Sequence, residues 1–254
     1  MNLPKNQLEY TSLHPPQSLT AIVESIWMLK NHSGKKKGGI IIPDGKIDLF
    51  LLMDEIDNFQ IFISGICNKP ILKPPYPKST MFAISFHPLA AEYIFKQSFE
   101  RLKNSRQGLA EDYLGFCKDD LADFGNFYTK ACKIIAHQLT KHIDLRKKKL
   151  FEHIYSSKGE ITVKELSQKV IWSSRQMNRY FNTWFGIPLK SYINIIRFSN
   201  SLKQLKVGNF YPELNYGDQS HFIREVKKFS GVKPTLLNKN ENDRFIQLSV
   251  LPEH

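Results

Sequence analysis

Apolar positions recur in two rhythms along the chain. Segments 25–30, 39–43, 46–53, 59–66 and 80–87 are short and rich in Ile, Phe, Leu and Met. Turn chemistry separates them at Gly34 through Gly39, Asp44-Gly45 and Asp54 to Asn58, which predicts strands. Pro43-Asp44-Gly45 between two apolar runs predicts a hairpin. The four prolines within Pro70 to Pro77 exclude a central strand there. Ahead of these strands, Ser18 to Glu24 predicts a short helix with Ser18 as its N-cap. From Leu89 the rhythm becomes helical, through Leu89-Ala90-Ala91-Glu92-Tyr93-Ile94-Phe95 and then Phe127, Ala131, Ile134, Ile135 and Leu139. Residues 1–143 therefore predict an α+β domain, a small antiparallel sheet or partial barrel with helices.

No strand pattern returns after Asp144, itself a plausible N-cap. Leu145, Leu150, Ile154 and Tyr155 mark a basic amphipathic helix that Gly159 stops. Val163, Leu166 and Val170 mark a second. The turn Val170-Ile171-Trp172 leads to Ser173, the N-cap of a third helix with Met177, Tyr180, Phe181 and Trp184 inward and Gly186 at its end. Pro188 opens a long fourth helix with Tyr192, Ile193, Ile196, Leu202 and Leu205 inward. Asp218 caps another, with Phe222, Val226 and Phe229 inward, ended by Gly231 and Pro234. This all-α domain covers 144–242, and 243–254 form a tail. No repeat of solenoid period is present.

Length and composition narrow the class. The 254 residues exceed one typical domain, and 41% hydrophobic with 24% charged residues is ordinary globular usage. No apolar run reaches the ~18–20 residues of a membrane helix. Met1-Asn2-Leu3-Pro4-Lys5 lacks a secretory layout, and Cys67, Cys117 and Cys132 fit a reducing cytoplasm better than a disulfide or zinc framework. The net charge of +12 is unevenly placed. Residues 1–145 carry 17 basic and 15 acidic side chains, whereas 146–254 carry 19 and 9. A net +10 on the second part points to a polyanion, nucleic acid or an anionic surface.

Two short helices joined by a tight turn, the second opening on Ser, form a helix-turn-helix pattern. The start of such a second helix enters the major groove, and here it offers Ser174, Arg175, Gln176, Asn178 and Arg179. Arg grips guanine O6/N7 with two hydrogen bonds, and Asn or Gln does the same for adenine N6/N7. The helix after Asp218 repeats the logic with Gln219, Ser220, His221 and Arg224 at its start. Lys227 and Lys228 suit phosphates.

These residues resemble a known family. Val163-Lys164-Glu165-Leu166, Ser173 through Phe181, Gly186-Ile187-Pro188, Tyr192 and Arg197 look like the first helix-turn-helix of AraC/XylS-type transcriptional regulators. Asp218-Gln219-Ser220-His221-Phe222, Lys227-Lys228-Phe229, Gly231 and Pro234 look like the second. The match covers about 145–240. It implies two three-helix units sharing a linker helix, here Pro188 to about Lys206, with recognition helices starting at Ser173 and Asp218. One departure stands out. The family has a full helix before its second reader, whereas Val207 through Gly217, interrupted by Pro212, leave room for about one turn. Phe210, Leu214 and Tyr216 are then expected to replace the lost packing. Val23 to Trp27, Ile42 to Leu49 and Phe86 to Ala90 resemble sensor domains that precede such units, which implies a regulatory module for a small molecule or a partner.

The expected function is a cytoplasmic, sequence-specific DNA-binding transcriptional regulator and not an enzyme, without cofactor, metal or catalytic residues. Its expected partners are double-stranded promoter or operator DNA, RNA polymerase and a small-molecule effector, with no membrane. Two rivals remain: an enzyme active within 1–143 with a basic targeting module, and a non-specific architectural DNA binder. Other residues read more plainly. Asp44 and Asp48 fit a turn aspartate and an outward strand aspartate better than an acid pair. His87 fits a strand-end histidine, and Cys67 a structural thiol. His137 and His142 are wrongly spaced for a helical metal motif. Lys35-Lys36-Lys37 and the run Arg146 to Lys149 fit solvated faces, the latter within reach of phosphate.

Overall fold

Along 47–52 the apolar residues fall on both sides of an alternating strand, so this strand needs cover on both faces. The computed structural model describes residues 8–32, 37–76, 78–139, 142–241 and 244–249. It places β4 (Ile47–Asp54) inside a six-stranded antiparallel sheet. The others are β1 (Leu8–Leu13), β2 (Val23–Asn31), β5 (Phe59–Ser64), β7 (Ser79–Phe86) and β8 (Arg106–Leu109), in the order β1-β2-β7-β4-β5-β8. β3 (Lys37–Ile41) and β6 (Ile71–Tyr76) form a separate antiparallel ribbon. Ile47, Leu49 and Leu51 join the main core, and Phe50 and Leu52 pack with Phe62, Met81, Ala83 and Trp27 on the opposite face. α1 (Ala90–Tyr93) lies between β7 and β8, and α2 (Phe124–Gln138) follows β8. Phe127, Ala131 and Ile135 of α2 are buried at helical spacing, as expected, against Phe82 and Phe116.

Two local expectations are corrected. Residues 18–24 are not a helix. A 3-10 turn spans Gln17–Leu19, and β2 begins at Val23, because pairing Val23 to Phe86 and Ile26 to Ile84 outweighs a short helical rhythm. Pro43-Asp44-Gly45 is not a hairpin turn either. It carries the chain from the ribbon into the main sheet, where β4 pairs with β5 and β7. As expected, proline-rich 71–76 is no central strand: it pairs only within the two-stranded ribbon, where a missing amide donor is tolerated. Of the Lys35-Lys36-Lys37 run, Lys35 and Lys36 lie outside the described residues.

The second part is helical: α3 (Leu145–Ser156), α4 (Val163–Val170), α5 (Ser174–Phe185), α6 (Leu189–Lys206), α7 (Gln219–Ser230) and α8 (Pro234–Lys239). Asp144 caps α3 by accepting the Arg146 amide at 2.8 Å. Leu150 and Ile154 are buried, whereas Leu145 is 70% exposed in the first turn. The segment after α8 turns back to the first part. Ile40 bridges to Phe245 in parallel, and Gln247 exchanges two hydrogen bonds with the Ile42 backbone, at 2.8 and 3.2 Å. Phe245 and Leu248 are buried, so α9 (Ile246–Ser249) belongs to the body of the fold. No described helix is long and apolar enough to cross a membrane.

Candidate nucleic-acid interface and the cavity behind it

The first helix-turn-helix is built by reciprocal caps. Thr162 Oγ1 accepts the Glu165 amide, and Glu165 Oε2 accepts the Thr162 amide at 2.8 Å. Ile171 turns the chain in the left-handed region at φ 51°, with its side chain 88% exposed. Ser173 Oγ then accepts the Gln176 amide at 3.3 Å, and Gln176 Oε1 accepts the Ser173 amide at 3.1 Å. Left-handed Gly186, at φ 67°, closes α5. Met177, Phe181 and Phe185 anchor the helix, fully buried at a four-residue spacing. Each contributes roughly 1.5–3 kcal/mol by burial. Trp184, expected inward, is only half-buried. Its carbonyl accepts the Phe99 amide at 2.8 Å, since it sits on the side of α5 that meets the first part.

The expected readers sort into two kinds. Arg175 and Arg179 are exposed, and neither guanidinium has an ion-pair or hydrogen-bond partner among the described residues. Gln176 is exposed, but its amide oxygen serves the cap. Ser174 is half-buried, and its carbonyl accepts from Asn178 Nδ2 at 3.0 Å. Asn178 Oδ1 accepts the Leu189 amide at 3.2 Å, which caps α6. Asn178 is thus engaged inside the protein at both ends of its amide, and the resemblance alone did not show this. The first part clamps the far end of α5: Ser98 Oγ donates to Thr183 O, and Lys103 Nζ to Gly186 O. The near end, carrying Arg175 and Gln176, stays open.

In the second unit Asp218 accepts the His221 amide at 2.7 Å, and Gly231 closes α7. Phe222, Val226 and Phe229 are buried, whereas Gln219, Ser220, Arg224 and Lys227 are exposed. His221 Nδ1 accepts the Gly217 amide at 3.0 Å, so its Nε2 carries the hydrogen in the neutral ring. Lys228 pairs with Glu225 at 3.2 Å. No helix forms between α6 and α7. Gln204 organises that loop, donating to Tyr211 O at 2.6 Å and accepting the Glu213 amide. Arg197 donates to Asn215 O, and Tyr216 is buried against Phe222. Phe210 and Leu214 pack on the core beside it, as the abbreviated unit requires.

The basic run on α3 is partly spent internally. Lys147 pairs with Glu92 of α1 at 2.5 Å and stands over the Tyr180 ring, and Arg146 pairs with its own cap Asp144. The seam continues at Gly45. Tyr192 OH donates to Gly45 O at 3.2 Å, and a Cβ on Gly45 would lie 2.7 Å from Ile196 Cδ1.

Between the second face of the sheet and the ribbon lie two cavities, of 330 and 220 Å³, which share Ile41, Asp44, Lys46, Asp48 and Phe50. The larger is also walled by Ser199 and Leu202 of α6 and by Gln247. Asp44 and Asp48 are therefore neighbours at one cavity, which corrects their reading as unrelated aspartates: the strand that follows Gly45 brings both to the same side. Burial, then the charge of Asp44, raises Asp48 to about 7. Burial likewise raises Asp44. His87 stands at the end of β7, as expected, and is buried there. Its Nδ1 lies 3.2 Å from Lys46 Nζ, and burial followed by the Lys46 charge lowers it to about 3. Burial also raises Glu24, but Lys46 and His87 outweigh it and bring Glu24 below the usual range. Cys67 is pushed up to about 12 by burial, as a structural thiol is. No group of three or more metal-ligating side chains occurs among the described residues.

Residues 11–107 match a family described as a domain of unknown function, DUF6597. Over 182 residues the chain is 28% identical to the nucleotide exchange factor SIL1 of Eremothecium gossypii. That match covers 64% of this chain, and the chain spans 42% of the length of this curated relative. Among solved structures it is similar to ToxT from Vibrio cholerae O395, at 10% identity and a TM-score of 0.48, covering 93% of this chain and 99% of that one. It is similar as well to ToxT from strain SCE256 with an unsaturated fatty acid bound, at 11% identity, a TM-score of 0.39, and 93% and 97% coverage.

Proposed function

We propose that the chain is a sequence-specific DNA-binding transcriptional regulator of the AraC/XylS type, with an effector-responsive first part. One observation carries this reading: two capped helices, α5 and α7, each bury an apolar face and leave a basic and amide-rich start exposed, and a single helix, α6, joins their units. At about 1.5 Å per residue, the 18 residues of α6 span about 27 Å. That length suits two readers serving major-groove segments about one turn, ~34–36 Å, apart.

Arg175 and Arg179 are assigned to bases in the first segment, with Ser174 and the free amide nitrogen of Gln176 beside them. Gln219, Ser220, His221 and Arg224 serve the second, and Lys227 and Lys228 the phosphates. Asn178 is assigned to positioning, because its amide holds α5 to α6. The proposed division is a sensor at 1–143 and a reader at 144–242, with the tail bound back on the sensor. Contact with RNA polymerase and a cytoplasmic location belong to this reading as proposals.

Selection from random duplexes followed by a salt titration tests it. A recovered asymmetric site and a log affinity falling with log salt at a slope near −5, for ~6 phosphate contacts, are expected. Equal affinity for selected and random duplexes would leave an architectural binder. Turnover by the chain would favour an enzyme.

A further inference from the structure

The cavity between the sheet and the ribbon has an aromatic wall. Trp27 meets Phe50 edge-on at 5.8 Å, and Phe50 stacks on Phe62 at 4.7 Å. Arg106 already stands 4.8 Å over the Phe62 ring, so this wall holds a cation at one end. The floor is acidic. Asp48 Oδ1 accepts from Ser85 Oγ at 2.5 Å, and Ser85 Oγ in turn accepts the Trp27 indole N–H at 2.9 Å. Asp44 Oδ1 accepts the Lys46 amide at 3.1 Å. Lys46 offsets this floor only in part: its charge favours the ionised form of both aspartates, but its ammonium is shared with Glu24 at 2.6 Å, which leaves three carboxylates around one cation. Both carboxylates lie where the two cavities meet, among mostly apolar walls.

We infer that this cavity binds a small organic cation, an ammonium or amidinium on an aromatic or aliphatic body, with Asp44 and Asp48 holding the charge and Trp27 and Phe50 the body. The chemistry ranks the alternatives lower. An anion meets two carboxylates, and the cations that line the cavities, Lys46 and Arg106, are engaged by Glu24 and by the Phe62 ring. A polyol would find Ser25, Ser199 and Gln247 beside the carboxylates, but it leaves the apolar surface of Trp27, Leu29, Ile41, Phe50 and Leu202 without a matching body. A cation replaces the proton that the crowded pair otherwise retains. Asp48, at about 7, stays partly protonated at neutral pH because burial and Asp44 disfavour a second charge. The other charged groups nearby are Glu24, Lys46 and Arg106, the first two paired with each other and the third on the Phe62 ring. The occupant also touches Leu202 and Gln247, and so reaches the linker helix and the segment after α8.

This inference rests on the effector-responsive part of the proposed function, and its test needs no DNA. The full chain is titrated calorimetrically with 2-phenylethylamine and benzamidine, and with 2-phenylethanol and phenylacetate as neutral and anionic counterparts. At pH 8 at least one cation is expected to bind more tightly than the alcohol and the acid by about tenfold or more. The same titration at pH 6 in buffers of different ionisation enthalpy is expected to show weaker binding with proton release. D48N and D44N, checked for folding by thermal melting, are expected to lose the preference for the cation. Equal or tighter binding of the alcohol or the acid overturns the assignment, as does the absence of cation binding at millimolar concentration. Absence of cation binding beside intact operator binding sinks the cavity proposal alone. The reverse pattern sinks the DNA reading alone.

Discussion

The hydroxyl of Tyr192 donates to the carbonyl oxygen of Gly45 at 3.2 Å, and Tyr155 OH completes the chain by donating to Tyr192 at 2.7 Å. A residue of the linker helix is thereby fastened to the turn that delivers Asp44 and Asp48 to the cavity. Tyr192→Phe keeps the packing and removes the donor, so it should cost about 1 kcal/mol. Gly45→Ala should cost more, at about 1–3 kcal/mol. The added Cβ meets Ile196 in a left-handed backbone at φ 80°. Urea midpoints check both, and a Gly45→Ala protein as stable as the parent would refute the close seam.

Arg175→Ala and Arg179→Ala should flatten discrimination between a selected duplex and a mismatched one by roughly 1–3 kcal/mol each. Non-specific affinity should change little. Lys227→Ala should do the opposite, lowering affinity for all duplexes alike and making the salt slope shallower by about one. Fluorescence anisotropy against matched and mismatched sites separates the two. Uniform loss in Arg175→Ala would move that side chain to the phosphates.

Asn178→Ala tests the other half of the assignment. Its amide links the Ser174 backbone carbonyl to the Leu189 amide and bonds to no reader side chain. Loss of this cap should lower stability by about 0.5–2 kcal/mol. The rank order of bound sequences should stay the same. A changed rank order with unchanged stability would return Asn178 to the bases.

The buried titrating groups make stability depend on pH with opposing signs. His87, lowered to about 3 from an ordinary value near 6.5, takes up its proton only in the unfolded chain across that interval. Its contribution therefore rises with pH from about 3 to 6.5. Asp48, raised to about 7 from about 3.9, keeps its proton in the folded chain, so its contribution falls as pH rises through that window. From about 4 to 6.5 the two offset each other. D48N removes the falling limb and should gain up to about 1.4 kcal/mol per pH unit relative to the parent there. Denaturant midpoints at half-unit intervals check this. Parallel curves for the two proteins would rule out a protonated Asp48.

Much of the helical part was legible because its signals are local. Ser173, Asp218, Gly186 and Gly231 set ends within a turn of themselves, and Phe222, Val226 and Phe229 repeat at helical spacing. Trp184 and Leu145 escaped that reasoning, because a helix edge facing another domain and one facing water share the same spacing. In the sheet, the strands with alternating or continuous apolar runs were legible, and their partners were not. Asp44-Gly45 fits a hairpin chemically, but pairing is decided by residues far along the chain, such as Ala83 opposite Phe50. The acid pair was hidden for the same reason. Nothing near Asp48 in the sequence announces that Ser85 lies beside it.

The segment after α8 gives the second unit a leash as well as a stem. Phe245 and Gln247 tie it to Ile40 and Ile42, while α6 holds the unit from upstream. Asn240, at the end of α8, accepts the Phe245 amide at 2.7 Å and donates to its carbonyl at 3.3 Å, so a swing of α7 away from α5 would first have to break these two bonds and then unzip the leash from β3. Under the proposed function, Asn240→Ala should therefore widen the range of half-site spacings that the chain accepts.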